Sequence, residues 1–108
     1  MNIICRGTTP RIECTFQEDL TGYDLYFSIG SDYRNAWFTI SPKRIETTVT
    51  DNRTVGVLTL EQRETLLCSP GAAIAQFRIV DENGDARASN IIELQIIDIV
   101  KDGVIKYV

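Results

Sequence analysis

Apolar and polar residues alternate along much of this chain, and turn-forming residues interrupt the alternation roughly every 8 to 12 residues. The clearest case is 11–17, where Ile12, Cys14 and Phe16 share one face and polar residues occupy the other. Residues 23–29 alternate in the same way. A period of two is that of a half-buried strand, because successive side chains of a strand point to opposite faces.

Five further segments have the apolar or β-branched content of strands: 36–40, 45–50, 55–60, 73–79 and 90–100. The last of these is apolar on both faces, so we expect it to be covered on both sides or to meet a partner. Asp51–Thr54 and Asp81–Asp85 are predicted turns. In the second turn, Asn83 and Gly84 suit the positive φ angles of a tight hairpin.

One short helical turn is predicted near residues 60–68. Thr59 and Gln62 have the spacing of a capping box, in which two side chains satisfy free backbone N–H groups at a helix start. Pro70 and Gly71 end the turn. Leu66 and Leu67 would place it over one end of the core.

These elements predict an all-β fold, an antiparallel β-sandwich of about seven strands. Residues 1–108 form a single domain, since 108 residues lie near the commonest domain size and no repeat or linker interrupts them. The ends are treated as apolar terminal arms, at about 1–6 and 103–108.

Composition places the chain among ordinary globular proteins, with 44% hydrophobic and 24% charged residues. Its net charge of −4 and its scattered basic residues argue against nucleic-acid binding. No stretch approaches the roughly 18 apolar residues of a membrane span. The start resembles no secretion signal, so we expect synthesis in a cytoplasm and no membrane partner.

Residues that could carry chemistry are scarce. The chain has no histidine, which excludes the ordinary catalytic triads, and it has no phosphate-binding loop. Cys5, Cys14 and Cys68 form no metal-binding spacing and are expected to be free thiols in a reducing compartment, with Cys14 in the core. The acidic residues at 81–85 are explained by the turn. We therefore predict no enzyme activity, catalytic residue, cofactor or metal.

Two kinds of residue are candidates for contact with a partner. Tyr26, Tyr33 and Trp37 could form a carbohydrate-binding platform, anchor a protein interface or fill the core. The terminal arms carry apolar β-formers, whereas chain ends are usually polar and frayed. These arms could pair with each other or add as strands to a neighbouring subunit. Their candidate contact residues are Ile3, Ile4, Val104, Ile105 and Tyr107.

Several short motifs carry a resemblance to a known family. They are the turn 19–22, the strand 56–60, the helix stop 69–71, the strand 76–79 and the segment 84–90. The opening Arg6–Pro10 and the closing Lys101–Ile105 belong to the same pattern. The chain resembles the N-terminal domain of baseplate upper proteins of tailed phages, and small prophage proteins of similar length.

The resemblance implies an immunoglobulin-like β-sandwich that attaches to the virion, in the tail, the baseplate or another appendage, with no catalytic residues. Baseplate upper proteins carry receptor-binding proteins on a long C-terminal extension, and we do not expect that adaptor role here. The part of the family's function that the resemblance implies for this chain is therefore attachment to the virion or its decoration.

The expected function is that of a phage virion structural protein, docked in several copies onto other phage structural proteins through edge and terminal strands. A homo-oligomer fits this expectation. The alternatives are a carbohydrate or host-surface binding module that uses the three aromatic residues, and a phage-encoded inhibitor of a host protein.

Overall fold

Short strands separated by tight turns make up most of the computed structural model, which describes residues 2–107. A four-residue helix, α1, spans Gln62–Thr65, and a 3-10 turn spans Pro42–Arg44. The strands are β1 Asn2–Cys5, β2 Arg11–Phe16, β3 Asp24–Gly30, β4 Ala36–Ile40, β5 Glu46–Thr50, β6 Arg53–Thr59, β7 Gly71–Val80, β8 Ala86–Ala88 and β9 Ile92–Ile97.

The strands form two sheets that pack face to face. The larger sheet has the order β1-β9-β7-β3-β4, with β8 paired to β7, and the smaller has the order β2-β6-β5. In the larger sheet, β9-β7-β3 correspond to the G-F-C strands of an immunoglobulin domain. In the smaller sheet, β2-β6-β5 correspond to the B-E-D strands. The predicted all-β sandwich is confirmed. The expectation of purely antiparallel pairing is wrong at one place, because β1 runs parallel to β9.

Aromatic side chains join the two sheets in the core. Phe27 and Phe77 are fully buried in the larger sheet, with ring centroids 5.1 Å apart. Phe16 of the smaller sheet meets Phe77 edge-on at 5.9 Å. Gly56 permits close approach nearby, since a Cβ there would lie 3.2 Å from Cδ2 of Leu25. The alternation seen in the sequence is therefore the packing pattern of the core.

Strand number and strand length differ from the prediction. The structure adds β1 and β8 to the seven predicted strands, and it shortens the predicted 90–100 strand to Ile92–Ile97. The strand ends where Asp98 begins a different set of bonds, because its carboxylate accepts the N–H of Ile99 and also binds Arg6. The apolar residues beyond Ile97 therefore do not extend the sheet.

Two turn details also differ. The helix is capped at Glu61, whose N–H donates to the Glu64 carboxylate at 2.8 Å, and not at Thr59, which ends β6. The hairpin with two successive positive φ angles lies at Asp51 and Asn52, with values of 53° and 61°. In the 81–85 turn only Gly84 has a positive φ, because the Asp81 carboxylate accepts two N–H groups there and organises the loop.

A buried hydroxyl ties the loop after β2 to the smaller sheet. Thr54 of β6 is fully buried. Its hydroxyl accepts the N–H of Leu20 at 2.9 Å and donates to the carbonyl of Glu18 at 2.9 Å. Both of these backbone groups depend on one side chain, because β6 holds Thr54 facing inward.

We expect Thr54→Val to lower the free energy of unfolding by about 1–3 kcal/mol, because valine keeps the shape but leaves the Leu20 N–H unpaired. Urea denaturation of the purified protein measures the change. Thr48→Val is the matched control, since Thr48 is exposed on β5. Equal stability of the two variants would contradict the role assigned to the hydroxyl.

An ion pair fastens α1 to the 3-10 turn. The Arg44 guanidinium binds both carboxylate oxygens of Glu64, at 2.6 and 2.8 Å, and donates to the Thr59 carbonyl at 3.0 Å. The pKa of Glu64 is lowered chiefly by the hydrogen bonds from Arg44, while partial burial opposes the shift. Such two-point pairs are geometrically specific, so this one sets where α1 lies.

A lowered carboxylate pKa makes stability depend on acid. The contribution of Glu64 is present above its ordinary pKa, near 4.5, and is lost as the pH falls through the lower folded value. We expect Glu64→Gln to reduce stability at neutral pH. Between about pH 5 and about pH 3, on either side of the ordinary carboxylate pKa, the variant should lose less stability than the parent protein. Urea midpoints across that range measure it. Glu46→Gln, at an exposed carboxylate, should leave the parent profile unchanged.

Candidate functional site

The N-terminal arm is an edge strand of the larger sheet. β1 pairs with β9 in the register Ile4 to Ile96, so successive side chains point in and out. Ile3 is 65% exposed and Ile4 only 4% exposed. Ile3 thus stands on the surface as expected for a contact residue. Ile4 belongs to the core, and we do not retain it as a contact residue, because the strand pairing turns its side chain inward.

Arg6, just after β1, bonds to four residues that are distant from it in the chain. Its guanidinium donates to the carbonyls of Leu66 and Cys68, each at 2.9 Å. It also binds the carboxylates of Asp98 at 2.7 Å and Asp102 at 3.3 Å. Its neighbour Thr8 accepts, at its carbonyl, the hydroxyl of Thr65 at 2.9 Å. Residues distant in the chain are therefore held together by one side chain.

The C-terminal arm lies over α1 and forms no strand among the described residues. The side-chain amide of Gln62 donates to the carbonyl of Ile105 at 2.9 Å and accepts its N–H at 2.7 Å. Val104 and Ile105 are about half exposed, and Tyr107 is fully exposed. The alternative in which the arms pair with each other is wrong for residues 2–107, because β1 pairs with β9. Arg6 reaches only as far as Asp102, the residue before the C-terminal arm.

The three candidate aromatic residues do not line one groove. Tyr33 is 69% exposed at the tip of the β3–β4 hairpin, where an open groove of about 210 Å³ separates the tip from β7. Neither Tyr26 nor Trp37 lines that groove. Both are half-buried, and Trp37 packs against the core. Tyr33 is therefore the one candidate ring that borders this groove among the described residues.

A second surface feature was not anticipated from the sequence. Two adjoining depressions, of about 250 and 410 Å³, run along the edge of β2 that faces away from β6, and they meet at Ile92. One wall is β2 with Pro10 before it and the segment after it as far as Glu18, and the other is β1 and β9 with the residues before β9. We call this feature the β2 groove. Its floor includes the half-buried side chains of Ile12 and Phe16 and the buried ring of Phe27.

Burial makes two of the three cysteine thiols less acidic than a free thiol. Burial raises the pKa of the Cys68 thiol to about 11 and also raises that of Cys14. All three cysteines are free. Within residues 2–107, no cluster of three metal-ligating side chains is present, and every buried side-chain polar atom has a hydrogen-bond partner. No helix in that range has the length and hydrophobicity needed to cross a membrane.

Comparison with known proteins adds no identification. No protein-family model matches the chain, and no curated protein matches it significantly. The resemblance to baseplate upper proteins therefore rests on the short motifs alone.

The bonds of Arg6 lead to a stability prediction. We expect Arg6→Met to lower the urea midpoint and to make the C-terminal arm cleave faster in limited proteolysis, because two carbonyls lose their donor and two carboxylates lose their counter-charge. Arg11→Met is the control, since exposed Arg11 has Glu13 as its one ion-pair partner among residues 2–107. An arm cleaved at the parental rate would show that Arg6 does not hold it.

Proposed function

We propose that this protein is a non-enzymatic structural component of a tailed-phage particle, in the tail, baseplate or another appendage, and that it works by docking onto neighbouring virion proteins. The observation that supports docking is the pair of exposed apolar elements at one end of the sandwich, the edge strand with Ile3 and the arm with Val104, Ile105 and Tyr107. The assignment to a phage rests on the motif resemblance.

Physical chemistry favours protein contacts as the use of these elements. Edge strands present unpaired backbone groups that can bond to another chain, and proteins usually shield them. Exposed apolar side chains beside such an edge gain free energy when a partner covers them. A strand added to an edge combines both gains, since backbone bonds set the register and side chains provide specificity.

A carbohydrate-binding function has weaker support. Only Tyr33 of the three aromatic residues lines the hairpin groove, although polar side chains of Asp32, Arg34 and Gln76 accompany it. A single ring can stack on one sugar, but Tyr26 and Trp37, which a platform would also use, do not line that groove. An inhibitor of a host protein draws no specific support from the described surface.

The proposal predicts that the protein co-purifies with phage particles. Particles from the strain that encodes the chain are banded on a density gradient, and an antibody raised against the purified protein is used for immunoblotting and immunogold electron microscopy. We expect label at the tail or baseplate in several copies per particle. A known capsid protein and a host cytosolic enzyme serve as positive and negative controls.

Finding the protein only in the soluble lysate, with none in banded particles, would contradict the virion assignment. Capture of one host protein from that lysate would then favour the inhibitor. Binding on a glycan array that Tyr33→Ala abolishes would favour the carbohydrate module.

A further inference from the structure

The smaller sheet has an open position beside β2. Among residues 2–107, β6 is the only strand that pairs with β2. The N–H of Leu60 donates to the carbonyl of Pro10 at 2.9 Å, in register with the β2–β6 ladder. In an antiparallel ladder, hydrogen-bonded positions alternate, so the even-numbered residues of β2 bond to β6. The backbone groups of odd-numbered residues, such as Glu13 and Thr15, therefore face the open side.

This open side differs from the other edge of the same sheet. The inner side chains of β2 (Ile12, Cys14 and Phe16) are half-buried along the β2 groove. On β5, by contrast, every residue is exposed and four of the five are polar. A strand added beside β2 would cover apolar surface as well as complete the ladder. One added beside β5 would complete the ladder alone, so β2 is the favoured acceptor.

The C-terminal arm has the properties of a donor strand. Val104, Ile105 and Tyr107 are β-formers, and Lys106 interrupts them so that Ile105 and Tyr107 fall on one face in an extended conformation. The root of the arm is fixed by Arg6 through Asp98 and Asp102, whereas beyond Gly103 the polar contacts are the two bonds with Gln62. Gly103 has a φ of 101°, which marks a bend between the two parts.

We infer that the β2 groove of one copy receives the C-terminal arm of a second copy as an added β-strand. The inference deepens the proposed function, on which it rests, by naming the partner of one surface. Ile105 and Tyr107 of the arriving arm pack against the apolar floor of the groove, and its backbone bonds to the odd-numbered residues of β2. Lys106 then lies on the outer face, the side on which Glu13 is paired with Arg11.

The geometry makes the contact directional. The arm and the β2 groove are different surfaces, so a bound pair still has one unused arm and one unused groove. Contacts of this kind close into rings or extend into longer assemblies, unlike the two-fold contacts of simple dimers. The bonds lost at Gln62 are exposed and few, so the arm can leave its own copy at small cost.

The test blocks the acceptor without disturbing the fold. Thr15→Pro removes an N–H that faces the open side of β2, a position where an edge strand tolerates proline. Size-exclusion chromatography with light scattering over a range of protein concentrations measures association. We expect the parent to associate and Thr15→Pro to raise the dissociation constant at least about tenfold. Thr47→Pro is the matched control, because Thr47 faces the open side of β5, and it should associate like the parent.

A second variant blocks the donor. Ile105→Asp places a charge in the arm where the apolar floor would receive it, and should weaken association to the same extent. Val100→Asp is its control, since Val100 is fully exposed but precedes Gly103. Circular dichroism melting of each variant verifies folding, and the controls show the effect of substitution alone.

Mixing the two blocked variants tests the direction of the contact. Thr15→Pro retains a functional arm and Ile105→Asp retains a functional groove, so together they should form a one-to-one pair that does not grow further. A parent that stays monomeric at all concentrations would overturn the inference, as would equal association of Thr15→Pro and Thr47→Pro. Those results leave particle membership untouched, because the gradient and immunogold experiment measures it separately.

Discussion

The bonds of the Arg6 guanidinium are the constraint on which the arrangement of both ends depends. Arg6 lies at the corner where the chain leaves the larger sheet after β1 and crosses to β2 in the smaller one. At that corner it satisfies two carbonyls after α1, at Leu66 and Cys68, and neutralises the carboxylates at the root of the C-terminal arm. One cation thus joins β1, the helical turn and the segment after β9. Among residues 2–107, Arg6 supplies the hydrogen bonds to the Leu66 and Cys68 carbonyls and also binds Asp98 and Asp102, so its loss would loosen the helical turn and the segment after β9 together.

The position of α1 follows from a second arginine. Arg44 binds Glu64 through two hydrogen bonds, and Glu64 in turn caps the start of the helix at Glu61. A four-residue helix is far too short to be stable by itself, so these tertiary bonds and the buried hydroxyl of Thr65 hold it in place. The short helix matters for the surface because its Gln62 carries the C-terminal arm.

Apolar surface is distributed unevenly once the core is closed. The inner faces of both sheets pack against each other in the core. Within residues 2–107, Ile3 and the apolar side chains of the C-terminal arm stay exposed, and the edge of β2 away from β6 pairs with no strand. The two edge strands of the smaller sheet, β5 and β2, differ in what lies beside them. β5 is exposed and polar at four of its five residues, whereas β2 borders a groove of mixed lining in which its own Ile12 and Phe16 are half-buried. The asymmetry is what points to β2 as a place for another strand.

Sequence alone determined the fold class, because alternation of the kind seen at Ile12, Cys14 and Phe16 reports directly which side chains a sheet must bury. It also located most turns, since residues such as Gly84 are required by local backbone geometry. Local patterns could not show that Ile4 faces inward, that the β2 groove exists or that Arg6 joins β1 to the turn after α1 and to the segment after β9. The bonds of Arg6 alone reach partners 60 to 96 residues away in the chain. Strand order and register decided these features, and both are properties of the tertiary structure.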